Sequence, residues 1–320
     1  MATQPETKEQ GQNLESLTWG ELTWVNIERP TERETDYLAQ NYHFHPLDLD
    51  DCLSRIQRPK IDEYPDYLFL VLHFPVFNKE ARVTTPSQVS VFIGDNYLVT
   101  LHKGELKPLV KLFRDCQLNE ESLEENFSLG SGYLLYRIID RLVDYCLPIL
   151  NRVGDNIERV ENNIFSDGVR GTLREISWLR RDIISFRRII WPMRAVIGSL
   201  EPRVRRFTRR DMKDIDVYFG DMIDHVDKIW DGLDGYKEII EGLNDTYDSL
   251  ATNRTNEVVR TLTIIATVLL PITVVASIYG MNIDLPFENL PYPFPMAIVV
   301  FIMLVIIVGM LYFFRRKHVI

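Results

Sequence analysis

From Thr261 to Gly280 the chain reads TLTIIATVLLPITVVASIYG, a run with no charged residue. A helix of that length rises about 30 Å, enough to cross the hydrocarbon core of a bilayer. A second uncharged run, MAIVVFIMLVIIVGMLYFF, spans Met296 to Phe314, and the Pro-rich connection between the two carries only Asp284 and Glu288. These runs dictate a membrane protein with two C-terminal spans, 259–280 and 296–314, joined by an external loop, 281–295. Arg254 and Arg260 precede the first span, Arg315, Arg316, Lys317 and His318 follow the second, and the loop has no Lys or Arg. The positive-inside bias then places both termini, including the basic tail 315–320, in the cytoplasm of a cell (inner) membrane.

The rest of the chain is polar, and the formal net charge is −10. That balance argues against nucleic acid as a partner and suits cations. Met1 to Gln12 has no apolar stretch, so no signal peptide is expected, and residues 1–17 are expected to be disordered. Cys52, Cys116 and Cys146 form neither a CxxC pair nor a zinc spacing, which fits reduced cytoplasmic thiols. His43, His45 and His73 fit no standard zinc site and are read as core or surface histidines. There is no nucleophile–base pairing or phosphate loop, so no enzyme is expected.

Residues 18–130 are expected to form an α+β domain, a mixed sheet with flanking helices, although an α/β arrangement also fits. Leu22–Ile27, Asp66–Phe74, Ser87–Gly94 and Asn96–His102 are rich in β-branched and aromatic residues and read as strands. Gly94-Asp95-Asn96 reads as a hairpin turn. Thr31–Asn41 and Pro46–Leu53 read as short helices. A helical hairpin is expected over 131–206, its first helix running from about Tyr133 to Phe165 with a bend at Pro148. Its second helix, about Leu173 to Leu200, is basic.

A stalk helix is expected over 207–258, continuing into the first span. Phe219, Met222, Val226, Ile229, Leu233, Tyr236, Ile240, Leu243, Tyr247 and Leu250 alternate in steps of three and four, a heptad seam. Asp224, Asp227, Asp231, Asp234, Glu238, Glu241, Asp245 and Asp248 keep the same rhythm on another face. Unbroken from Phe207 to Gly280, such a helix would be ~110 Å long. The acidic line extends through Asn256, Val259, Leu262, Ala266, Leu270, Thr273 and Ser277. One helix face could thus line a cation path, or it could be a solvated stripe; an acidic face alone does not decide.

The stretch NEVVRTLTIIATVLLPITVVASIYGMN, Asn256 to Asn282, resembles the first span of the CorA family of divalent-cation channels, with its Gly-Met-Asn motif at Gly280, Met281 and Asn282. HPLDLDDCLSRIQRPKIDEY (His45 to Tyr64), QVSVFIGDNYLVTLH (Gln88 to His102) and LLYRIIDRLVD (Leu134 to Asp144) resemble the family's cytoplasmic part. The resemblance implies a funnel-shaped homopentamer in membrane lipid, with the long helix of each subunit lining the pore. Gly280, Met281 and Asn282 would form the selectivity filter, and Asn256 through Ser277 the pore lining and gate. It also implies Mg²⁺ as both cargo and regulator, with Co²⁺ and Ni²⁺ as further candidate ions. Asp51 and Asp221 match the principal regulatory metal pair, while Asp50, Asp140 and His225 match a second site. Val259 stands where the family often has Met, and Ser277 where Gly is common. A Zn²⁺ transporter similar to the ZntB proteins is the alternative, which Met281 disfavours because those more often carry Gly-Ile-Asn. A non-conducting membrane-anchored sensor or scaffold is the alternative of another class.

Overall fold

A computed structural model describes residues 13–54, 57–164, 169–209, 214–281, 291 and 293–317. They form two compact units, the first ending at Asp245 and the second starting at Thr246.

The first unit is built on a six-stranded sheet of order β1-β2-β6-β5-β4-β3. Its strands are β1 (Leu14–Trp19), β2 (Leu22–Glu28), β3 (Lys60–Glu63), β4 (Leu68–Asn78), β5 (Val83–Ile93) and β6 (Tyr97–His102). Every neighbouring pair is antiparallel except β2 and β6, which run parallel with Val25 opposite Val99. The sheet is therefore mixed. In β4, Leu68, Leu70, Leu72 and Phe74 enter one core cluster while Phe69 and Val71 enter the other. Both faces of the strand are covered, which is why its sequence is a continuous apolar run rather than an alternation. The β5–β6 turn forms as expected, with the Gly94 amide donating to the Tyr97 carbonyl at 3.0 Å.

One sheet face packs on α1 (Glu32–Tyr42), α2 (Pro46–Leu53) and the link between them, through Leu38, Leu49, Cys52 and, from the link, Phe44. The other packs on α3 (Lys107–Leu118), α4 (Glu120–Phe127), α5 (Ser131–Asp144) and α7 (Val169–Gly198), through residues such as Phe113, Phe127, Leu135 and Phe186.

Four expectations need correction. Residues 14–17 belong to β1, paired with β2, and are not disordered; residues 1–12 lie outside the described residues. The helix expected to bend at Pro148 is two helices, α5 and α6 (Cys146–Asn163), separated at Tyr145. The cause is Pro148 itself: it lacks the N–H that would bond the Asp144 carbonyl, and its ring crowds that group. Proline is tolerated in the first turn of a helix, so α6 starts just before it. α3 and α4 occupy a stretch with no assigned helix. The stalk helix, α9 (Ile215–Tyr279), begins at Ile215 rather than Phe207, because Phe207 closes a 3₁₀ turn (Arg205–Phe207) after α8 (Glu201–Val204) and is buried in the core.

Within the first unit the seam of α9 packs as its spacing requires. Phe219, Met222, Val226, Ile229, Leu233, Ile240 and Leu243 are buried, and Tyr236 is half-buried. Gly232 lets Leu150 of α6 approach: a Cβ there would lie 3.0 Å from the leucine side chain. Basic α7 meets the acidic side of α9. Arg194 forks onto Asp227, and Arg187 reaches Asp234 at 2.5 Å while stacking over Trp230.

The second unit holds the rest of α9 and α10 (Phe294–Arg316). Both helices contain windows long and apolar enough to cross a membrane, with mean hydropathy 2.2 and 3.0. Hydroxyls in α9 are satisfied locally: Thr263, Thr267 and Thr273 each donate to the carbonyl four residues earlier. A span needs this, since an unpaired polar group in hydrocarbon costs several kcal/mol.

Candidate divalent-cation sites

Three potential ligands converge where α5 meets α9. The carboxylates of Asp140 and Asp144 and a ring nitrogen of His225 lie within 4.8 Å of one another. Helical spacing puts the two aspartates one turn apart on α5, and packing of the α9 seam delivers His225. His225 Nδ1 lies 3.5 Å from Asp144 Oδ1, yet it is buried without a hydrogen-bond partner. Burial first, and then the neighbouring charge of Asp144, push the Asp140 carboxyl above its ordinary range; Asp221 adds in the same direction. Two negative charges also sit in the last turn of α5, where the helix dipole disfavours them.

Such a set stores repulsion that a cation relieves. Two carboxylates supply the oxygen donors that hard divalent ions take, and their spacing fits an ion that keeps part of its water shell. The imidazole suits a contact through that shell or a softer ion.

Among the sequence-derived residues, Asp140 and His225 are brought together, and Asp221 is close enough to act on Asp140. Asp144 was missed. It ended the quoted stretch LLYRIIDRLVD, and its i+4 spacing from Asp140 at a helix C-terminus was the available signal. Asp50 is exposed on α2, apart from this cluster. Asp51 is half-buried and bound to Lys60 at 2.7 Å. Asp221 is exposed on α9, and no described hydrogen bond or ion pair joins it to Asp51 within one chain.

His43, His45 and His73, which fit no zinc spacing, have separate roles. His43 ends α1 with φ 56°, His45 caps α2 by accepting from the Leu47 amide at 3.2 Å, and His73 is buried in β4.

Asn256, Val259, Leu262, Ala266, Leu270, Thr273 and Ser277 all lie in α9 and are exposed in the single chain. At 100° per residue they fall within an arc of about 120°. The helix closes with Gly280 donating to the Ala276 carbonyl at 3.0 Å and Met281 to that of Ile278 at 3.2 Å. Asn282 lies outside the described residues.

A mixed-sheet domain carrying an acidic metal-type cluster, followed by two C-terminal apolar helices, defines a divalent-cation transport protein of the membrane rather than an enzyme. Residues 19–316 match the CorA-like Mg²⁺ transporter protein family, and the chain belongs to it. It is 32% identical to the cobalt/magnesium transport protein CorA of Thermotoga maritima, over 92% of this chain and 82% of that one. The complete structure of the CorA magnesium transporter of Methanocaldococcus jannaschii superposes with a TM-score of 0.79 at 25% identity, covering 94% of this chain and 92% of that one. The zinc transport protein ZntB of Yersinia pseudotuberculosis is more distant, 24% identical over 81% of this chain and 76% of that protein.

Proposed function

We propose that the chain is one subunit of a homopentameric Mg²⁺ channel of the cell (inner) membrane, with both termini in the cytoplasm, and that cytoplasmic Mg²⁺ closes it. The observation that carries this reading is one helix: α9 runs unbroken from beside the Asp140–Asp144–His225 cluster to the Gly280–Met281 end of the first span. Binding at one end can therefore bias the other.

In this reading the stripe from Asn256 to Ser277 lines the pore, with Val259 and Leu262 as its apolar constriction. Gly280 and Met281 present Asn282 at the outer mouth. Mg²⁺ gives up its water reluctantly and demands near-octahedral oxygens at about 2.0–2.1 Å. A ring of neutral amide oxygens can accept hydrogen bonds from that water without stripping it, and holds the ion loosely enough to release it. The membrane potential drives entry, at ~4.6 kcal/mol per 100 mV for a double charge. Inside, Mg²⁺ would bridge Asp51 of one subunit and Asp221 of its neighbour, and a second ion would sit between Asp50 of one subunit and Asp140 and His225 of the neighbour. Without it the carboxylates repel and the subunits part.

The test is Mg²⁺ influx into vesicles, with and without Asn282→Ala, across a range of internal Mg²⁺. Loss of flux or selectivity in the variant is expected, together with inhibition from inside. Unchanged flux sinks the filter assignment, and inhibition that ignores Asp51→Asn sinks the regulatory pair. Zn²⁺ is the alternative cargo, as in the similar ZntB protein, and Co²⁺, Ni²⁺ and Zn²⁺ competition in the same vesicles decides it. A non-conducting sensor would give no flux with any ion.

A further inference from the structure

Lys60 lies in β3, at one edge of the sheet. Its ammonium is 2.7 Å from Oδ2 of Asp51 and 2.5 Å from Oδ2 of Asp62, and 5.3 Å from the centre of the Phe69 ring. Asp51 is anchored from the other side. Its carbonyl accepts from Gln88 Nε2 of β5 and from Ser54 Oγ just past α2, each at 3.1 Å. About a third of the Lys60 side chain and a fifth of that of Asp51 are exposed, so these charges are less screened than on an open surface.

A divalent cation arriving at Asp51 thus meets a carboxylate that already holds a cation. We propose that Lys60 is a tethered competitor for the regulatory ion: by occupying Asp51 when Mg²⁺ is low, it raises the Mg²⁺ concentration at which the sensor engages. This rests on the reading of Asp51 as a regulatory ligand.

Lys60 differs from a free monovalent ion in being carried on the same chain, which fixes it at high effective concentration beside Asp51. Its competition therefore does not vary with the salt of the cytoplasm as a free ion's would. Asp62 tunes the device, because it draws on the same ammonium. Without Lys60, Asp51 and Asp62 would repel each other, and that repulsion favours a divalent ion between them. Partly exposed ion pairs are each worth a few-fold in an equilibrium, so loss of both moves the midpoint by about threefold to tenfold. A lysine that merely pins β3 to α2 predicts the opposite: its loss would loosen Asp51 and weaken the site.

The experiment uses the full chain in detergent, with chymotrypsin protection of the cytoplasmic part as the readout across a Mg²⁺ titration. Lys60→Met is expected to lower the protecting Mg²⁺ concentration about threefold to tenfold, and Lys60→Arg to leave it near the parent value. Asp62→Asn, which leaves Lys60 to Asp51 alone and guards against a misfolded Lys60→Met, is expected to raise it. Asp51→Asn is expected to raise it further. If Asp51→Asn raises the midpoint but Lys60→Met leaves it unchanged or raises it, the competitor role is overturned while the sensor reading stands. Asp62→Asn lowering the midpoint overturns the competitor role as well. If Asp51→Asn has no effect, the sensor reading has failed and takes the inference with it.

Discussion

Replacing Asp144 with Asn should move stability in opposite directions with and without Mg²⁺. In the ion-free protein, Asp140 and Asp144 hold their carboxylates within 4.8 Å of each other. Asp144 is just over half exposed, so the effective dielectric is near that of water, and Coulomb's law gives repulsion of roughly 1 kcal/mol. Surface pairs of like charge one helical turn apart cost somewhat less, about 0.2–0.5 kcal/mol. Removing one charge also eases its conflict with the α5 dipole, by about 0.3 kcal/mol. Asp144→Asn should then stabilise the Mg²⁺-free protein by about 0.5–1 kcal/mol, or about 2 °C in Tm for a unit of this size. With Mg²⁺ at ten times its dissociation constant, the parent gains about 1.4 kcal/mol. If the variant binds about tenfold more weakly, it gains only about 0.4 kcal/mol. Tryptophan-monitored melts at pH 8, in chelator and then in Mg²⁺, should therefore show the two curves exchange order or nearly meet. A variant less stable than the parent in chelator, with an equal Mg²⁺-induced rise, would refute the claim that these carboxylates form a charged site awaiting a cation.

Acid should weaken the sheet through His102, whose Nδ1 accepts from the Gly104 amide and whose Nε2–H donates to Asn26, each at 3.0 Å. Burial lowers its pKa to about 4, so the folded state resists a proton that the unfolded chain takes up near 6.5. Stability is thus full above about pH 6.5 and falls as pH drops toward 4, by about 3 kcal/mol in all. Urea melts should show this slope, and His102→Gln should flatten it. Asp182 is buried, accepting from the Thr84 amide at 2.5 Å and from Arg152 at 3.1 Å. Asp182→Ala should cost about 3 kcal/mol, because it strands Arg152 over Phe77 without its counter-charge. Adding Arg152→Met should recover part of that loss, and equal losses in the single and double variants would show that the ion pair was not the cause.

Much of the fold was legible because burial leaves a plain mark on sequence. The doubly covered strand β4, the seam of α9 and the two spans all announce themselves by apolar spacing. The helices α3 and α4 escaped notice although α3 buries Leu109, Leu112 and Phe113 at helical spacing, whereas two strands escaped because their surroundings ask for polarity. β1 (LESLTW) and β3 (KIDE) are the two edge strands of the sheet. Edges are kept short and charged to prevent pairing with other chains, so their composition looks like that of loops. The site followed the same logic. Asp140 and His225 were reached through the family resemblance, whereas Asp144 and Lys60 matter because of what lies beside them across helix and strand packing. No spacing within one segment of sequence records such a neighbour.

The charge on α9 explains why its partners are the residues they are. An isolated helix with acids at Asp221, Asp224, Asp231, Glu238 and beyond repels itself along its length. Two arginines of α7 answer that repulsion, and each does what a lysine could not. Arg194 uses its fork to take both oxygens of Asp227, and Arg187 lays its planar face over Trp230 while reaching Asp234. These contacts hold the helix at fixed points by geometry as well as charge. Among the described residues Asp221, Asp224 and Asp231 make no ion pair within the chain. Asp221 already presses on Asp140. Negative charge that is clamped in place but only partly neutralised is a standing demand for cations, and a mobile divalent ion meets it more effectively than a monovalent one at the same site. Within the first unit, α7 thus fixes the position of part of the charge on α9, and if the proposed sensor operates, the rest is left for the ion to neutralise.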